Sequence, residues 1–327
     1  MDRTERLDGL QRRHPWLGFP IAVIYKYADD QGVYLAALIT YYGFLSLFPL
    51  LMLLTSGVGF VFQRQPELQS AILDSALGQF PVIGRELDDP AGLQGSTLAV
   101  VLGGAIAVYG SLRVAQAIQH ASDVCWAVPR NRRPNPIRAR LRSAVLIGVV
   151  GLALLLTTVL SAVAGSARAY GVGIETVTAV WLMALAVVGN CAVTVLVMRF
   201  ATVRSVSVRE VLPGALTAAV GWQLLQSFGT AYVGRIVKNT GDTYGVFALV
   251  LGLMAWLFMA AVVLVVSLEI NVVRAKDLYP RSLLTPFTED VELTEADEQT
   301  YTDLAESTRA KESEEVDVTF EGHGSDH

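Results

Sequence analysis

Six stretches of the chain contain no Asp, Glu, Lys or Arg: Gln31 to Gln63, Ala91 to Leu112, Ser143 to Ala167, Thr176 to Met198, Val211 to Gly234 and Thr243 to Leu268. The shortest has 22 residues. A helix needs roughly 20 apolar residues to cross about 30 Å of hydrocarbon. Backbone groups cannot stay unpaired in lipid, so such stretches must be helical or belong to a closed barrel. Barrel strands are about 10 residues long and alternate in polarity. These stretches are longer and do not alternate. The pattern predicts an all-α integral membrane protein, a six-helix bundle.

Shorter amphipathic stretches flank the apolar ones. "HPWLGFPIAVIYKYADD", His14 to Asp30, is apolar but too short to span. It predicts a helix lying on the inner leaflet or packed on the cytoplasmic side of the bundle. The first charge-free stretch has 33 residues, about 50 Å of helix. It must tilt, protrude or break, and Pro49 predicts a kink near Ser46 to Pro49. In the loop Arg64 to Pro90, Leu68, Ile72, Leu73, Leu77 and Phe80 recur at near-helical spacing. They predict a second interfacial helix, on the outer surface.

Charge then orients the chain. The N-terminal segment, the loops 113–142 and 199–210, and the start of the tail hold 18 Lys and Arg, against 5 in the alternate loops. Basic residues near membrane ends are retained in the cytoplasm, so both termini are expected there. The net charge of −5 conceals a membrane body of +7 and a tail of −12 from Pro286 onward. The expected organisation is an interfacial segment 1–30, a six-helix domain 31–285 and a disordered acidic tail 286–327. The tail is a candidate docking segment for a protein partner. The arginines of 130–142 are either a topological signal or a site for anionic lipid headgroups. Few aromatics interleave with them, so no nucleic-acid partner is expected.

Candidate chemistry is sparse. The only cysteines are Cys125 and Cys191, and His120 is the single His between positions 15 and 322. Neither a metal nor a cofactor site is expected, and no catalytic residue stands out. Polar residues do fall on helical faces inside the apolar stretches. Tyr42, Ser46 and Pro49 share one face; Gln223, Gln226, Ser227 and Thr230 share another. Unpartnered polar groups are costly in hydrocarbon, so these faces should point into the bundle. They are read either as a translocation path, with Tyr42, Ser46, Pro49, Gln223, Gln226 and Thr230 as its lining, or as interhelical packing. Asn190 carries the same two readings. Glu269 closes the sixth stretch, where it can snorkel, cap Arg274 or pair with Arg113 at the cytoplasmic end of the second helix. Gly110 and Gly214 belong to small-residue clusters that predict close helix approach.

Several of these segments resemble one family. "AALITYYGFLSLFPLLMLL" is similar to the signature first helix of the YihY/BrkB inner-membrane proteins. "YGSLRVAQAIQHASDVCWAVP", "LPGAL", "YVGRIVKNTGDTYGVFALVLGLMAWLF" and "SLEIN" resemble later family segments in order, with Ser267 and Leu268 in place of the usual Gly-Ala. The Gly-Asp-Thr-Tyr-Gly run is similar to the YhjD-like branch. The resemblance implies a six-helix protein of the bacterial inner membrane, virulence-associated and linked to envelope lipid export. It also brings an older label, ribonuclease BN, which the scarcity of His ligands opposes. The reading is of a non-enzymatic transporter or facilitator of lipid movement whose partners are membrane lipids. The alternatives are a membrane scaffold of an envelope complex and, less favoured, a membrane-bound ribonuclease.

Overall fold

The computed structural model describes residues 8–9, 11, 14–61, 97–151, 176–236, 242–283 and 292–320. Among them every regular element is helical, as the absence of alternating patterns predicts. The helices are α1 Pro15–Asp29, α2 Gly32–Val61, α3 Thr97–Cys125, α4 136–151, α5 Thr176–Ala201, α6 Val208–Ile236, α7 Asp242–Ala275 and α8 Glu295–Ser307. Among the described residues one helix, Val250–Ala275, is long and apolar enough to cross a membrane by itself; shorter apolar helices are Gly32–Leu47 and Cys191–Ala201. The outer helix expected within 64–90 lies outside the described residues. So do the end of the third apolar stretch and the side chains of Pro49, Asn190 and Thr230.

The α7 helix is the hub. It packs against α1, α2, α3 and α6, while α2 pairs most extensively with α3 and α5 with α6. The buried core runs through these contacts, with Leu253, Val265, Leu268, Val272 and Val273 of α7 fully enclosed. Two glycines set the closest approaches. A Cβ on Gly110 would lie 2.7 Å from the Ser46 Cβ, so α3 passes α2 with no room for a side chain. A Cβ on Gly214 would lie 2.0 Å from the Ser267 carbonyl oxygen and 2.5 Å from Asn271. Contact is thus intimate where Ser267 and Leu268 replace Gly-Ala, because the missing side chain is on the facing helix.

The "LPGAL" segment explains the second contact. Pro213 has no amide hydrogen for the α6 ladder. The neighbouring Gly214 amide donates to Asn271 Oδ1 at 2.6 Å. Asn271 Nδ2 lies 3.2 Å from Met198 Sδ, so one buried amide ties α5, α6 and α7 together.

The expected disorder of the tail is corrected for 292–320. Thr294 and Asp297 form a capping box that starts α8. Arg281, fully buried, donates to Asp297 Oδ1 at 2.6 Å and to Asp29 Oδ2 at 2.5 Å. Lys276 pairs with Asp303 at 2.7 Å, and the Asn131 amide donates to the Arg309 carbonyl at 3.1 Å. The run of acids suggested self-repulsion, but a cap and two basic residues of the body partner the acids that face it.

Candidate functional site

Among the described residues, buried charges of both signs meet where α1, α3 and α7 come together. Lys26 sits in the last turn of α1, and Asp30 caps that helix. Cys125 ends α3, and Glu269 belongs to the penultimate turn of α7. All four are buried, Glu269 and Cys125 completely. The Lys26 ammonium bonds Asp30, donates to the Cys125 carbonyl at 3.2 Å and lies 3.7 Å from Glu269 Oε2. The i, i+4 spacing places Lys26 beneath Asp30 on one face of α1. Gln31, at a φ of 55°, turns the chain sharply from α1 into α2 and leaves Asp30 directed inward.

Isolated charges are too costly to bury, so each member depends on the others. Burial alone would lower the Lys26 ammonium; the charges of Glu269 and Asp30 outweigh it and raise the ammonium above its ordinary range. Burial, then the charge of Glu269, pushes the Asp30 carboxyl up to about 8, against the pull of Lys26. Two carboxylates facing one ammonium carry a net negative charge when both are ionised. One added proton makes the cluster neutral. The arrangement is therefore suited to holding and releasing a proton within the fold.

Potential ligand atoms of Asp30, Cys125 and Glu269 lie within 4.8 Å of one another. A divalent cation would find enough donors there. It would also find the Lys26 ammonium against both carboxylates, already supplying the positive charge. The residues fit an ion cluster held by its own ammonium better than a metal site.

Other residues singled out from sequence fall elsewhere. Glu269 does not pair with Arg113: its basic partner is Lys26. Arg113 is partly exposed, donates to Tyr109 Oη at 3.0 Å and lies 5.8 Å from the Tyr42 ring centre. The expected Arg113 pairing fails because α1 brings its own lysine against α7. Ser46 is buried against Gly110 and donates to the Gly43 carbonyl at 3.0 Å, a packing role. Gln223 and Gln226 are half-buried on α6, and Ser227 donates to the Gln223 carbonyl at 3.0 Å. The stripes lie on helices with different main neighbours among the described residues: α2 packs chiefly on α3 and α7, and α6 on α5 and α7. In the arginine-rich loop, Arg133 and Arg142 are engaged with the carbonyls of Val128, Phe200 and Thr202. Arg130, Arg132, Arg138 and Arg140 remain exposed.

Lys26, Asp30 and Cys125 were not selected from the sequence. A signal existed for the first two: a lysine and an aspartate four apart in an apolar segment ask for a shared burial site. Nothing in the sequence distinguished Cys125.

Fold and site together define a helical bundle with a buried ion cluster of Lys26, Asp30 and Glu269. The chain belongs to the virulence factor BrkB family, whose profile matches residues 23–289. It is 26% identical over 269 residues to the inner membrane protein YhjD of Escherichia coli (strain K12), covering 76% of this chain and 79% of that one. It is 27% identical over 255 residues to an uncharacterized protein of Dickeya dadantii (strain 3937), covering 72% and 76%. A 68-residue stretch is 31% identical to a Bacillus subtilis (strain 168) protein whose name describes it as ribonuclease-like, covering 21% and 24%. No solved structure matches the chain.

Proposed function

We propose that the protein is a six-pass protein of the bacterial inner membrane, with both termini cytoplasmic, that moves a lipid or other amphiphile between leaflets. The observation that carries this reading is the fully buried Glu269 beside Lys26 and Asp30. An ionisable group kept inside a membrane protein is expensive and marks an ion or proton pathway more often than a structural joint. A cluster one proton from neutrality can bias a bundle between two packings as that proton binds and leaves. Arg281 and the docked α8 lie beside the same α1 helix, since Asp29 pairs with Arg281 and its neighbour Asp30 with Lys26. The name of the Escherichia coli relative supports the location.

The function is read as non-enzymatic. A ribonuclease role draws no support from this site, because metal-assisted hydrolysis needs an open cation site and Lys26 occupies the charge of this one. A scaffold with the tail as its docking segment draws less support than transport, because Asp297 and Asp303 are engaged within the chain.

The test is reconstitution in liposomes carrying headgroup-labelled lipids, with and without an imposed proton gradient. Movement faster than in empty liposomes is expected, with Glu269→Gln removing its dependence on the gradient. Movement equal to empty liposomes across several lipid classes would end the transport reading.

A further inference from the structure

A second feature lies between α5 and α6. These two helices leave a cavity of about 580 Å³ whose wall includes Val188, Ala192, Val195, Leu212 and Leu216. The volume is within the range of about 300–1,000 Å³ typical of small-ligand sites. Its wall is apolar except at one end, where Arg199 enters it from the last turn of α5. Arg199 is exposed, and among the described residues no side chain pairs with it. The neighbouring Arg142 is engaged, donating to the carbonyls of Phe200 and Thr202. Arg204 is likewise engaged, with Glu210 at 3.7 Å and the Trp126 ring at 4.8 Å.

The cavity continues into an exposed apolar stripe. Val208, Leu212, Leu216, Val220, Leu224 and Phe228 recur every four residues along α6, each more than two-fifths exposed. A stripe of this kind in water would be a liability; beside lipid it is an entry face for hydrocarbon. The shape is a slot that opens sideways, apolar along its length, with a free guanidinium at the end joined to the 202–207 loop.

We infer that this slot is a binding site for an anionic phospholipid of the inner leaflet, with an acyl chain between α5 and α6 and the headgroup phosphate on Arg199. The complementarity selects the occupant. A neutral acyl chain leaves Arg199 without a partner, a soluble phosphate leaves the slot empty, and an apolar helix offers nothing to a guanidinium. A planar guanidinium binds phosphate by two parallel hydrogen bonds, which an ammonium cannot reproduce. The inference names a substrate class for the proposed lipid movement and rests on that reading only for the membrane location.

The test uses the full chain in nanodiscs with phosphatidylglycerol carrying a photoactivatable acyl chain. Cross-links are expected to concentrate in 188–216, to be competed by phosphatidylglycerol over phosphatidylcholine, and to be unaffected by inorganic phosphate. Arg199→Gln should reduce the headgroup preference about fivefold, the effect of one basic residue at a lipid surface. Arg199→Lys should retain part of it, which separates lost charge from lost fold. Ala192→Trp should fill the slot and remove the cross-links. Cross-links spread evenly over the apolar faces, or equal competition by both lipids, would show annular lipid only and overturn the site. Preserved cross-links without lipid movement would remove transport and leave the site standing. Movement without cross-links in 188–216 would do the reverse.

Discussion

Lys26 is the ammonium facing two buried carboxylates, Asp30 and Glu269. Lys26→Met leaves Asp30 and Glu269 facing each other and should cost about 3–5 kcal/mol, the scale of breaking a buried ion pair from one side. Thermal unfolding in detergent measures it, and the loss should shrink at low pH, where Asp30 is protonated. The sign for Asp30 follows from its shift from 3.8 up to about 8. The folded state holds the proton more tightly than the unfolded chain, so protonation stabilises fully below about pH 4. That contribution declines as pH rises toward 8 and is gone above it. The melting temperature should therefore fall over this interval, and Asp30→Asn should flatten the fall. An equal slope in wild type and variant would exclude Asp30 as the titrating group. The acid was visible in the sequence as one of two at the end of an apolar segment. Its inward direction was not, because that depends on the backbone turn at Gln31.

Among the elements, the packing of helix pairs turns on glycines whose partners are far away in sequence. Gly214→Ala places a methyl group against the Ser267 carbonyl and Asn271. It should destabilise by about 1–3 kcal/mol, the usual cost of overpacking. Ser46→Ala should be almost neutral by the same measurement, since the Ser46 hydroxyl bonds only the carbonyl of its own helix, three residues back. A large loss from Ser46→Ala would restore a polar-path role that the contact with Gly110 argues against. Helix existence was legible because apolar length forces backbone satisfaction within the segment. Small residues announced close contacts, but which helices made them was hidden. Nothing local tells Gly110 that Ser46 is its neighbour, or Gly214 that Asn271 will take its amide.

At the scale of the molecule, α8 holds the acidic tail against the body through Asp297. Burial works to raise that carboxyl, but the Ser282 amide and Arg281 hold it below its ordinary value of 3.8. A depressed carboxyl stabilises docking above its unfolded value and loses that contribution as pH falls through the folded one. Docking should be complete at neutral pH and released in strong acid. Asp297→Asn should free α8 at neutral pH, read as faster cleavage after Glu295 and Glu298 by a glutamate-specific protease. Unchanged cleavage would show that Lys276 and Asp303 suffice to hold the helix. The capping pattern of Thr294 and Asp297 was present in the sequence, but the charge of the whole tail masked it.

Hydrophobic length, charge placement and the order of family motifs are properties of the chain itself. They determined the helical class, the family and the candidate status of Glu269, because each depends on neighbours within a few turns. The partner of Glu269, the isolation of Arg199 beside an apolar slot, and the docking of α8 depended on tertiary structure. Each is set by which side chains, distant in sequence, the packed helices bring together or leave apart. Packing geometry decides it: α1 brings Lys26 to Glu269, α5 and α6 leave Arg199 at the end of an apolar slot, and Arg281 meets Asp297 across a gap that sequence spacing does not measure.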